Sequence, residues 1–148
     1  MTIKLKPDVL RQIHAHGESN YPLEGAGLLI GHSAGTDREV IRLHPLANRF
    51  EADQRHYRYR LDPLELMQAE DEVDALGLEI VGIFHSHPDH PAEPSDYDLE
   101  WSLPYYSYII TSIAGGQAVE SRSWRLVEDR GRFKEEAIWI ENETTENG

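Results

Sequence analysis

The run His85-Ser86-His87-Pro88, followed by Ser95 and Asp98, has residue types and spacing that suit a metal site. On an extended backbone, residues two apart point the same way, so His85 and His87 can face one ion from the end of a strand. Pro88 stops the strand there and leaves the pair beside a loop. Ser95 and Asp98 are three apart and share a face on a helix. Two imidazoles and one carboxylate suit a single zinc ion, Zn2+, with a fourth position left for water. Such an ion lowers the pKa of its water from roughly 15.7 to about 7, which supplies a nucleophile at neutral pH. The proton then needs a carboxylate that does not bind the ion. Glu24 is the candidate, in Pro22-Leu23-Glu24-Gly25-Ala26-Gly27, where small residues let the backbone pass close to a site. The local pattern does not itself bring Glu24 to His85.

Several of these residues have plainer readings. Ser95 with an acid three residues later is close to a capping box. Asp96 competes with Asp98 as a ligand. Ser86 has no third group to orient a base and lies between two candidate ligands, which argues against a nucleophile. His14 and His16, two apart on an expected helix, do not share a face and read as surface residues. His90 reads as a solvated loop histidine, and His32, His44 and His56 carry no pattern. Trp101, Trp124 and Trp139 read as packing residues rather than substrate platforms.

The elements that must position these groups follow from periodicity. Pro7 opens a helix whose stripe of Val9, Leu10 and Ile13 ends near Gly17. Residues 25–31 read as a buried strand, and 39–43 and 57–61 as half-buried strands. Asp62 and Pro63 start a second helix, with Leu66, Ala69, Val73 and Leu76 at helical spacing and Gly77 at its end. Residues 78–84 form an apolar strand running into His85. A loop follows to Pro94, and Ser95 starts a short helix that ends before Pro104. Strands are expected over 105–112, 119–127 and 133–140, with a turn at Asp129-Arg130-Gly131. The class is α/β or α+β, one mixed sheet with about three helices.

With 148 residues the chain is one domain, over 1–140, with a polar, disordered tail over 141–148. A domain this size buries roughly 70% of its unfolded surface, so a metal would serve chemistry rather than folding. The absence of cysteine excludes disulfides, thiolate metal sites and cysteine nucleophiles. It also counts against a nucleobase deaminase, whose site uses paired cysteines. Acidic residues outnumber basic ones by 27 to 14, and the formal charge of −13 repels nucleic acid. A high-salt cytoplasm and simple solubility are equal explanations of that bias. No signal peptide or membrane span is apparent, which points to a cytoplasmic protein.

His-Ser-His-Pro, six residues, Ser, two residues, Asp resembles the motif of the JAMM (MPN-plus) metalloproteases, with Glu24 matching the family's upstream glutamate. The resemblance runs from the first helix to about Val127 and includes Asn48. It implies an MPN-type domain with a mixed curved β-sheet, cytidine-deaminase-like in layout. It implies His85, His87 and Asp98 as zinc ligands, Glu24 as general base and Ser95 as oxyanion donor. The substrate it implies is a peptide or isopeptide bond after the C-terminal Gly-Gly of a ubiquitin-like or sulfur-carrier protein. Many of the compact prokaryotic members carry Cys where this chain has Ala26. The alternative is a non-catalytic MPN-type scaffold or ubiquitin-like-binding module, but such relatives generally lack ligands or the glutamate.

Overall fold

The fold comes from a computed structural model that describes residues 1–46, 63–103, 105–126 and 132–141, the side chains of Tyr97 and Trp101 excepted. The expectations for Asn48, His56, a strand over 57–61, the cap at Asp62, the turn at 129–131 and the tail beyond Glu141 fall outside those residues. In chain order the described elements are β1 (Thr2–Leu5), α1 (Pro7–Asn20), β2 (Ala26–Ala34), β3 (Asp37–Leu46), α2 (Pro63–Ala75), β4 (Glu79–Pro88), α3 (Asp96–Trp101), β5 (Ser107–Ala114), β6 (Gln117–Leu126) and β7 (Phe133–Ile140). The chain is α+β, with three helices among the described residues.

The strands pair in the order β1-β3-β2-β4-β5-β6-β7, and β1 pairs with β7 to close the sheet into a barrel. The sheet is mixed: β1 runs parallel to β3 and β7, and β4 parallel to β5, while the other pairs are antiparallel. Curvature was expected, and closure is the addition. It depends on β1, a four-residue strand that sequence patterning passed over. Its Ile3 and Leu5 are fully buried and bridge two edges that would otherwise be open. Register shifts in the β2–β3, β2–β4 and β5–β6 pairings supply the bending that closure needs.

Alternation along the strands splits the core. One cluster joins Val9 and Ile13 of α1 to Ile3, Leu5, Leu29, Val40, Phe84 and Ile109. The other joins Ala69 and Val73 of α2 to Leu28, Ile30, Leu46, Ile83 and Tyr108. Gly17 was expected to end α1, yet the helix continues to Asn20. A side chain at Gly17 would lie 2.9 Å from Ile113 Cδ1 and 3.3 Å from Ser86 Cβ, so this glycine lets the helix approach β4 and β5 closely. Gly77, at φ 73°, does follow the end of α2.

Near the start of β4 lies a buried polar network. Arg38 Nη1 donates to Val81 O at 2.6 Å and Ser107 Oγ at 3.1 Å, and its Nη2 donates to Tyr105 O. Arg125 Nε lies 2.9 Å from Glu136 Oε1, and Ser123 donates to Glu136 Oε2 at 2.8 Å.

Candidate metal centre

β4 carries His85 and His87 through its last turns of pleat, and both side chains are buried. Their rings lie 4.9 Å apart between centroids. Helix α3 brings Asp98 to them: His85 Nε2 is 3.5 Å from Asp98 Oδ1, and His87 Nε2 is 3.2 Å from Asp98 Oδ2. One donor atom from each residue falls within a sphere of mutual distances up to 4.8 Å. Asp98 is 7% exposed, whereas Asp96 is exposed to solvent, so the packing separates the two carboxylates that the spacing left in competition.

Ser95 caps α3. Its Oγ accepts from Asp98 N at 3.1 Å, and Ser95 N donates to Asp98 Oδ2 at 2.8 Å, a complete capping box. The plainer reading of Ser95 is therefore realised. The same two bonds hold the Asp98 carboxylate toward the histidines.

Glu24 arrives from the other direction. Antiparallel pairing sets Ala26 opposite His85, and the pairing is prolonged by Ser86 N donating to Gly25 O at 2.9 Å. Ser86 Oγ, pointing away from its histidine neighbours, accepts from Gly25 N at 2.8 Å. Glu24 Oε1 lies 3.9 Å from His85 Nδ1, and the residue is 6% exposed.

The electrostatics suit a cation. Burial pushes the His85 imidazole down to about 4, against the opposing pull of Asp98, so the ring is neutral at pH 7. Burial would raise Asp98, but the neighbouring His85, the His87 hydrogen bond and the Ser95 amide hold it well below the usual carboxylate range. His87 Nδ1 is 3.0 Å from Pro91 O, and a carbonyl only accepts, so this nitrogen carries a hydrogen and Nε2 is the ring atom that faces Asp98. His87 Nε2 lies 3.2 Å from Asp98 Oδ2, so the ring turns its second nitrogen toward the carboxylate that His85 also faces. Ligand atoms about 2.0–2.2 Å from one tetrahedral ion lie roughly 3.3–3.6 Å from one another, close to the two histidine–carboxylate separations of 3.5 and 3.2 Å. The three residues fit a metal ion.

Other expectations change. His14 and His16 are half-buried rather than on the surface, because α1 packs closely on the barrel. His16 Nε2 lies 2.9 Å from Ala26 O, and burial lowers His14. His90 is exposed. Trp124 is half-buried and donates to Ala92 O at 3.1 Å, which braces the loop between β4 and α3. Trp139 is 53% exposed. The contribution of the Pro91 carbonyl has no sequence signal, because it acts through loop geometry. No helix among the described residues is long and apolar enough to cross a membrane.

Residues 6–127 match the family model described as prokaryotic homologs of the JAB domain. Among curated proteins, the Thermus thermophilus "Probable TtuB-protein conjugate cleaving protease" is 37% identical over 66% of this chain and 63% of its own length. The Haloferax volcanii "Desampylase" is 37% identical over 64% of this chain and 66% of its own. The chain thus spans just under two thirds of these two relatives. A "Desampylase" of Pyrococcus furiosus is 29% identical over 84% of this chain and 71% of its own length. Among solved structures, one from Desulfitobacterium hafniense has a TM-score of 0.82 at 34% identity, covering 95% of this chain and 94% of that one. Another, from Salinibacter ruber, has a TM-score of 0.73 at 39% identity, covering 95% and 92%.

Proposed function

The chain belongs to the prokaryotic homologs of the JAB domain, and on that premise we propose that it is a zinc-dependent metallopeptidase. It hydrolyses a peptide or isopeptide bond after the C-terminal Gly-Gly of a ubiquitin-like or sulfur-carrier protein. The substrate class rests on relatives named as a conjugate-cleaving protease and as desampylases, and on the JAMM motif resemblance. The observation that carries the chemistry is the buried convergence of His85, His87 and Asp98, with Glu24 3.9 Å from His85.

In this reading His85, His87 and Asp98 hold one zinc ion. Bound there, zinc supplies a Lewis acid for the scissile carbonyl and lowers the pKa of water. Glu24 takes the proton from the attacking water and delivers it to the leaving amine. Ser95 accepts a hydrogen bond through its lone pair as a cap, which leaves its hydroxyl hydrogen to donate to the developing oxyanion. The Pro91 carbonyl fixes the tautomer of His87.

The test is cleavage of a Gly-Gly-terminated sulfur-carrier protein fused to a reporter, read by intact mass. The expected product ends in Gly-Gly and does not form when zinc is chelated. An uncleaved fusion in the presence of stoichiometric zinc would contradict the proposal and favour a binding module.

A further inference from the structure

The segment carrying Glu24 is pinned at both ends to the strand that carries the two histidines. At one end Gly25 is bonded to Ser86 through both its amide and its carbonyl. At the other, Tyr21 Oη donates to Asp89 Oδ2 at 2.7 Å. Asp89 is held in turn. Its Oδ1 accepts from Gly115 N at 2.9 Å and its amide donates to Ile113 O at 2.7 Å, both at the β5–β6 hairpin. The Tyr21 ring also lies against that hairpin, with Cδ1 3.8 Å from where a Gly116 side chain would begin. Ligands and anchors thus interleave along one short run: His85 and His87 face the metal centre, while Ser86 and Asp89 reach back to the segment carrying Glu24.

We propose that Asp89 is a positioning residue, which through Tyr21 and Gly115 fixes the Glu24 segment against the strand bearing His85 and His87. This rests on the reading of Glu24 as the general base. Asp89 sits at φ 57°, in the left-handed region that most side chains avoid and that Asp, Asn and Gly tolerate. That conformation supplies clean variants. Asp89→Gly removes the side chain without straining the backbone. Asp89→Asn keeps an oxygen for Gly115 and offers an amide hydrogen to Tyr21 Oη. Tyr21→Phe removes one partner and leaves the ring packing.

The first readout is independent of turnover: amide hydrogen exchange in the metal-free protein. Asp89→Gly is expected to speed exchange roughly tenfold at Leu23, Gly25 and Ser86 relative to β6 and β7, because the local opening is released while the barrel stays closed. The second readout is kinetic. Asp89→Gly and Tyr21→Phe should each lower kcat about tenfold with KM and zinc content unchanged, since small misplacements of a reacting group lower the rate far more than binding. The double variant should fall no further than either single, and Asp89→Asn should recover most of the rate. Uniform exchange across the protein, or additive losses in the double variant, would overturn the proposal. Inactivity of the wild type would overturn the peptidase reading instead, and leave the exchange result to decide the positioning role.

Discussion

The barrel holds two buried polar clusters near opposite ends of β4, and they handle charge differently. His85 shares a face with Ile83 of the α2-side core, whereas Ser107 shares one with Ile109 of the α1-side core, so the clusters also lie on opposite faces of the sheet. Around Arg38 and Arg125 the network brings its own counter-charge in Glu136 and its own acceptors in Val81 O, Tyr105 O and Ser107. Around His85 the network gathers two carboxylates and two imidazoles, one of them held neutral. The first sets its cations against a carboxylate of its own, although Arg125 Nη2 has no hydrogen-bond partner among the described residues. The second brings together carboxylates and imidazoles, a group that could hold a metal ion. Burial of polar groups is therefore no mark of function here; the mark is a cluster of residue types that can ligate a metal.

That contrast can be broken at the self-contained end first. Glu136→Ala should lower the stability of the metal-free protein by about 3–5 kcal/mol, because it leaves Arg125 without its carboxylate beside the buried Arg38. Urea unfolding measures it, and zinc affinity should be unchanged in the folded variant. Equal losses of stability and metal affinity would mean the two clusters are one unit.

The pH dependence of the metal-free protein sharpens the other end. His85 titrates near 4 when folded and near 6.5 when unfolded, so within that window the unfolded chain binds the extra proton. Stability is then fully present above about pH 6.5 and falls as pH drops toward 4, by on the order of 3 kcal/mol. His85→Gln should flatten this slope. An unchanged slope would show that another group controls acid unfolding.

The smallest effect separates two roles of one residue. Ser95→Ala should cost roughly 0.5–2 kcal/mol as a lost cap. If Ser95 also donates to the oxyanion, kcat should fall about 10²–10³-fold with zinc retained. Thermal melting, zinc content and kcat on one preparation decide between cap alone and cap with donor.

The two clusters were unequally legible in the sequence, for a physical reason. His85, His87, Ser95 and Asp98 lie close along the chain, on a strand end and the helix after it, so local periodicity aligned them. Gly25 and Ser86, 61 residues apart, meet only through β2–β4 pairing, and Glu24 could be joined to the site only by family resemblance. Arg38, Ser107, Arg125 and Glu136 sit on four strands, and each reads locally as an ordinary polar position. β1 went unseen because four residues are too few for alternation to stand out, and with it went the closure of the barrel.

In the proposed mechanism a metal held by His85, His87 and Asp98 works with Glu24 as the base. The most direct measurement takes zinc content and kcat together on Glu24→Gln, which keeps the size and hydrogen bonding of the side chain but cannot accept the proton. One zinc per chain is expected in both proteins, with kcat lower in the variant by about 10²–10⁴-fold. Full activity in Glu24→Gln with zinc in place would contradict that mechanism.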